Sequence, residues 1–211
     1  MSAHAAKDYY ERYWRREQDS LAADPLRATR LRLLREALAG TAARRALDVG
    51  CGGGETVAAL AALGLDATGM DVSERAVEIA AAAQPQLTFF AQDVETLPWP
   101  VEAESCDVVV SFEVIEHLLE PRRLLEGARD ALRPGGHVAL TTPYHGRLKN
   151  VALALAGFDR HFAVEGDHVR FFTDASLRRL LDETGFDVVQ IRHFGRAPGL
   201  WAGVFVWARK R

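Results

Sequence analysis

The chain has 211 residues, 26 basic against 29 acidic side chains and a formal net charge of −3, which suits one α/β domain able to bury a sizeable core. That balance gives no electrostatic footprint for a long nucleic-acid duplex, although an RNA end needs only a few phosphate contacts. No apolar run is long enough to span a bilayer, the start MSAHAAKDYYERYWRR is too charged for a signal peptide, and Cys51 and Cys106 lack disulfide or CxxC spacing, so a reduced, cytoplasmic protein is expected.

Helical patterns at 8–18 and 25–39 come first, followed by a short apolar strand that ends in glycine, RALDVG (45–50). Helix 55–63, strand 66–71 and helix 73–83 follow, the last opened by Ser73 as N-cap. Strands are expected at 86–91 and 107–112, then a helix after Pro121 that stops at RPGG, and a strand at 137–142. Segment 143–172 breaks this rhythm around a small apolar helix, NVALALAGF, before helix 173–184 and two late strands. The alternation predicts a doubly wound, mostly parallel seven-stranded sheet with helices on both faces. One domain over 1–211 is expected, with a helical cap (1–40), a core (41–142), an acceptor lid (143–172) and a C-terminal part of the sheet (173–211).

The strongest chemical signal is LDVGCGGGET. Gly50, Gly52 and Gly54 form a strand-to-helix turn where backbone can approach a ligand closely. A dinucleotide fingerprint would carry its third glycine one position later, where Glu55 stands. A pyrophosphate at that helix start would meet like charge, so the turn favours a ligand without phosphates. Asp71 ends the second strand at the separation where an acidic residue bonds ribose hydroxyls. Asp93 follows the third strand and can accept from an adenine amino group. With Asp48, these carboxylates outline a pocket for a cation that carries ribose and adenine.

In these motifs, LDVGCGGG, GMDVS, AQDVETLPW and LRPGGHVALTTP, the sequence resembles the class I S-adenosylmethionine-dependent methyltransferases over roughly residues 40–195. The resemblance implies a Rossmann-like fold and S-adenosylmethionine as cofactor. It implies that Asp48, Gly50, Cys51, Gly52 and Gly54 line the methionine half, that Asp71 holds the ribose and that Val72 packs near adenine. Asp93 then meets the adenine amino group, and Val94 and Phe112 complete the cofactor contacts. The bland alternative is a tight turn with helix-capping aspartates.

Acceptor chemistry belongs across from the cofactor, where SFEVIEHLLEP follows the fourth strand. If a helical turn begins there, Glu113, Glu116 and His117 share one face at i, i+3 and i+4. Such a face can hold a divalent ion, Mg, Mn or Zn, that activates an acceptor hydroxyl. A metal-free version has His117 as general base oriented by Glu113 or Glu116; a third reading is helix caps with a locally bonded histidine. The stretch is similar to O-methyltransferases of ubiquinone biosynthesis and to 2′-O-methyltransferases of small-RNA 3′ ends, which add a further histidine to hold the metal. His168 or His145 is available for that role, and Tyr144 and His145 are expected at the acceptor as well.

Tyr9, Tyr13 and Trp14 lie near one side of the first helix and either cover the pocket or pack on the sheet. Arg147 and Lys149 are either solvated or bind an anionic acceptor, and His161, Phe162, His168, Phe171 and Phe172 read as lid residues. Trp201 and Trp207 read as packing residues. The reading that follows is an enzyme that O-methylates a small hydroxylated metabolite. N- or C-methylation, 2′-O-methylation of an RNA end and a non-catalytic cofactor binder stand as alternatives.

Overall fold

The computed structural model describes residues 3–16, 24–156 and 168–211. Strands β1 (Arg45–Val49), β2 (Asp66–Asp71), β3 (Thr88–Ala91), β4 (Cys106–Phe112), β5 (Leu132–Pro143), β6 (Phe186–Phe194) and β7 (Gly203–Lys210) form one sheet in the order β3-β2-β1-β4-β5-β7-β6. Neighbours pair in parallel except at β7, which runs antiparallel to both β5 and β6. Among the described residues the helices are α1 (Ala3–Arg16), α2 (Arg27–Leu38), α3 (Glu55–Ala62), α4 (Glu74–Ala83), α5 (Pro121–Ala131), α6 (Arg147–Ala156) and α7 (Asp174–Glu183). This is the Rossmann-like arrangement expected from the alternating pattern.

Successive side chains of a strand face opposite ways, so each central strand feeds two cores. Leu47, Val49, Val138 and Leu140 pack with Leu124 and Leu125 of α5 and Leu177 and Leu181 of α7. Ala46, Val110, Ala139 and Phe205 meet Leu33 and Leu34 of α2 and Val57 and Leu60 of α3. Burial of each large aliphatic side chain contributes about 1.5–3 kcal/mol. Parity also puts Asp48, between Leu47 and Val49, on the α2–α3 side of the sheet.

Several boundaries differ from expectation. Strand β5 starts at Leu132 rather than 137, because fully buried Leu132 already pairs with Cys106 and a register shift between Cys106 and Val108 absorbs the RPGG segment. Helix α6 starts three residues before NVALALAGF, and Trp201 precedes β7. The expectations for 17–18, His161 and Phe162 lie outside the described residues.

Order reverses at β1, whose neighbours are β2 and β4, and ligands of such sheets bind at this switch point beyond the strand carboxyl ends. Helix α4 starts there, capped as expected by the Ser73 hydroxyl, which accepts the Ala76 N–H at 3.1 Å. Helix α1 adds a second cap, since Glu11 Oε1 accepts the Glu74 N–H at 2.6 Å while Lys7 pairs with the Glu74 side chain. Ser73→Ala is expected to lower stability by about 0.5–2 kcal/mol, read as a lower urea midpoint at unchanged slope.

Candidate active site

The β1–α3 turn is built from residues at positive φ: Gly50 (75°), Gly52 (51°) and Gly54 (84°). The Gly50 and Cys51 N–H groups both donate to the Met70 carbonyl, at 2.8 and 3.0 Å, which binds the turn to β2. Next in line, the Gly52 N–H donates to Asp71 Oδ2 at 3.0 Å and the Ser73 N–H to Asp71 Oδ1 at 2.9 Å. A Cβ on Gly52 would lie 2.8 Å from the Trp14 ring, and one on Gly50 would overlap Val114. Only glycine therefore lets backbone, cap and the segment after β4 meet here.

A cavity of about 270 Å³ lies at this junction. Gly50, Gly52, Asp71, Val72, Asp93 and Val94 of the expected cofactor set line it, as do Glu113 and His117. Tyr10, Tyr13 and Trp14 of α1 cover it. Tyr13 and Trp14 were singled out from sequence, whereas Tyr10 takes the place expected for Tyr9; the signal was its spacing of three and four residues from Tyr13 and Trp14. Glu95, Val114 and Leu118 also line the cavity without having been singled out. A larger cavity, about 370 Å³, lies between the 97–104 loop and α5. It is at the amino-terminal edge of the sheet and so away from the strand ends that bind ligands.

Asp48, Cys51, Gly54 and Phe112 are not among the lining residues. Asp48 is 2% exposed, and burial, then the charges of Asp71 and Glu55, push its pKa up to about 8. Burial also raises Asp71, opposed by the N–H groups of Ser73 and Gly52. The Cys51 thiol is raised by burial and is an inert, packed group. Asp93 Oδ1 accepts the Glu95 N–H at 2.9 Å, and Trp99 anchors the same loop through its indole N–H on the Val94 carbonyl at 3.0 Å.

The expected shared face of Glu113, Glu116 and His117 does not form. Glu113 adopts a left-handed φ of 56°, so the chain turns before the short 3₁₀ segment Ile115–His117 begins. Glu113 is drawn instead toward β5 and α2: its Oε1 accepts the Thr141 hydroxyl at 2.7 Å and lies 3.8 Å from Arg30 Nη1. Glu116 is 1% exposed. Its carboxylate, the His117 ring and the His168 ring each offer one ligand atom within 4.8 Å of the others. Three of the four expected metal ligands thus come together, and Glu113 stands outside the group.

His145 does not reach the cavity. It is 3% exposed, its Nδ1 lies 3.3 Å from Asn150 Oδ1, and the Asn150 amide donates back to the His145 carbonyl at 3.1 Å. The early start of α6 brings Asn150 to the imidazole, and the Phe171 ring packs against it at 4.8 Å. Lys149 is buried rather than solvated and donates to the Tyr144 carbonyl at 2.6 Å. Arg147 is exposed, Phe171 is half-exposed, and Phe172 belongs to the core.

A methyltransferase-domain family model matches residues 13–191. The ubiquinone biosynthesis O-methyltransferase of Vibrio cholerae is 28% identical over 186 residues, 84% of this chain and 75% of that protein. The protein of that name from Roseobacter denitrificans is 33% identical over 164 residues, 75% of this chain and 66% of its own length. Magnesium protoporphyrin IX methyltransferase from Synechocystis PCC 6803, solved with bound SAH, shares the fold with a TM-score of 0.72 at 19% identity over 99% of both chains. With the glycine turn, the two strand-end aspartates and the family match in agreement, the chain belongs to the class I S-adenosylmethionine-dependent methyltransferases.

Proposed function

We propose that this enzyme methylates a hydroxyl of a small acceptor, assisted by a divalent ion held by Glu116, His117 and His168. The observation that carries the reading is one cavity shared by Gly50, Gly52, Asp71 and Asp93 with His117 of the candidate metal group. The name of the curated relatives, ubiquinone biosynthesis O-methyltransferase, supports oxygen as the acceptor atom.

Residues of the chain have distinct tasks in this reading. Asp71, held by two backbone N–H groups, accepts the ribose hydroxyls, and Asp93 accepts from the adenine amino group. Val72 and Val94 flank the base, while Tyr10, Tyr13 and Trp14 exclude water. The cofactor supplies an electrophilic methyl on a sulfonium, so the protein's work is placement of the acceptor oxygen in line behind it.

Two imidazoles and a carboxylate suit zinc or manganese better than magnesium, which favours oxygen ligands. Glu116, His117 and His168 would hold such an ion through one ligand atom each, atoms that lie within 4.8 Å of one another. When bound there, such an ion would supply a lowered pKa and a fixed direction for the acceptor hydroxyl.

Methyl-labelled cofactor offered with catechols, phenols, amines and short RNA is expected to label the hydroxyl compounds as ethers. Label confined to amines, carbon or RNA, or absent from every pool, contradicts this reading.

His168→Ala is expected to lower the manganese or zinc retained after dialysis by at least about tenfold, with binding of S-adenosylhomocysteine nearly unchanged. Equal metal content in the variant and the parent contradicts the ion site.

Asp48 yields a proton-linked prediction. Its folded pKa of about 8 lies above that of an unfolded carboxyl, about 3.9, so the folded chain retains a proton at neutral pH. The stability from that proton is complete below about pH 4 and is lost as pH rises through 8. A bound cation favours the ionised form, so cofactor binding at pH 7 is expected to release a proton. Calorimetry in buffers of different ionisation enthalpy measures this, and Asp48→Asn abolishes it; identical proton release by variant and parent contradicts the assignment.

A further inference from the structure

We propose that Glu113 is the counter-charge for the sulfonium of the cofactor and that Arg30 of α2 is its positioning residue, an inference that rests on the cofactor placement above. Glu113 directly follows β4, and left-handed backbone is uncommon for a residue with a side chain. Three contacts over-determine it: its N–H donates to the Thr141 carbonyl at 3.0 Å, its Oε1 accepts the Thr141 hydroxyl at 2.7 Å, and Arg30 stands at 3.8 Å. Held backbone of this kind concentrates at ligand-binding sites.

Arg30 is 9% exposed on a helix whose apolar residues dock on the sheet. Its guanidinium lies between Asp24, to which it donates, and Glu113. A buried arginine with planar donors fixes a carboxylate in direction, which a lysine does less well. Burial opposes the charge of Arg30, and Glu113 and Glu116 favour it. Buried Lys149 is a further cation whose charge Glu113 supports.

The consequence is a carboxylate with a fixed direction, one third exposed, on the cavity wall. Glu113 stands outside the Glu116, His117 and His168 group, with its Oε1 bonded to the Thr141 hydroxyl and 3.8 Å from Arg30. A fixed negative charge in a partly desolvated wall favours a cation over a neutral group of similar shape. Substrate and product cofactors differ by one methyl and one positive charge at sulfur and share the ammonium, ribose and adenine. Glu113 therefore favours binding of the methyl donor over retention of the spent product.

The test is a set of dissociation constants for S-adenosylmethionine and S-adenosylhomocysteine, measured by calorimetry on the full chain. Glu113→Gln is expected to weaken the sulfonium ligand by about tenfold or more, and the thioether by less than about threefold. Arg30→Met should reproduce that selective loss, Arg30→Lys should restore part of it, and Arg30→Met should add nothing in the Glu113→Gln background. Equal weakening of both ligands, which a purely structural role of Arg30 would produce, overturns the proposal. So does an Arg30→Met effect that persists without the Glu113 carboxylate. Failure of the parent chain to bind either ligand overturns the cofactor placement itself, a result distinct from loss of selectivity.

Discussion

The Gly52 N–H donates to the Asp71 carboxylate across the gap between β1 and β2, and the rest of the site depends on that bond. It fixes the direction of the glycine turn and, with the Ser73 N–H, that of Asp71. Since Ser73 also caps α4, whose first N–H is bound by Glu11 of α1, one run of hydrogen bonds passes from the turn to the cap. Trp14 then closes on Gly52 at a distance that admits no side chain. Backbone geometry, carboxylate placement and cap position are therefore one constraint rather than three.

Charge follows from the same arrangement. Buried Asp48 and nearly buried Asp71 lie close enough for like charge to raise Asp48, with Glu55 adding to it. Such a group of carboxylates is costly unless protonated or faced by a cation. In the proposed placement of the cofactor, its sulfonium and ammonium would meet that need from within the cavity. Beyond β4 the balance is different: Arg30 and Lys149 act on Glu113, while Glu116 gathers the two imidazoles behind it. Left-handed Glu113 stands at the junction of these environments, between the end of β4 and the 3₁₀ segment that carries Glu116 and His117.

The sheet was legible because strands buried on both faces read as short apolar runs bounded by turns, as in DVVVSF and HVALTT. Ser73 was legible because an N-cap needs only local chemistry. The cavity wall was legible in part, through Gly50 and Gly52 of the turn and the strand-end aspartates Asp71 and Asp93 that line it. Asp48 was placed on that wall by motif, whereas its side chain is buried on the α2–α3 side of the sheet and is not among the lining residues. The conformation of Glu113 was not legible, because no glycine or asparagine marks its positive φ. Arg30 sat unnoticed in a charged helix, since burial of an arginine depends on which face docks. His145 was misjudged for a similar reason: the contact of Asn150 with its ring is set by where α6 begins.

The Gly52–Asp71 link builds the pocket proposed for the cofactor. That role is tested most directly by the stoichiometry and affinity of S-adenosylhomocysteine for the parent chain and for Asp71→Ala. One site per chain is expected in the parent, with at least about tenfold weaker binding in the variant, as follows where a carboxylate bonded to two ribose hydroxyls is lost. Unchanged affinity in a folded Asp71→Ala protein would contradict that role.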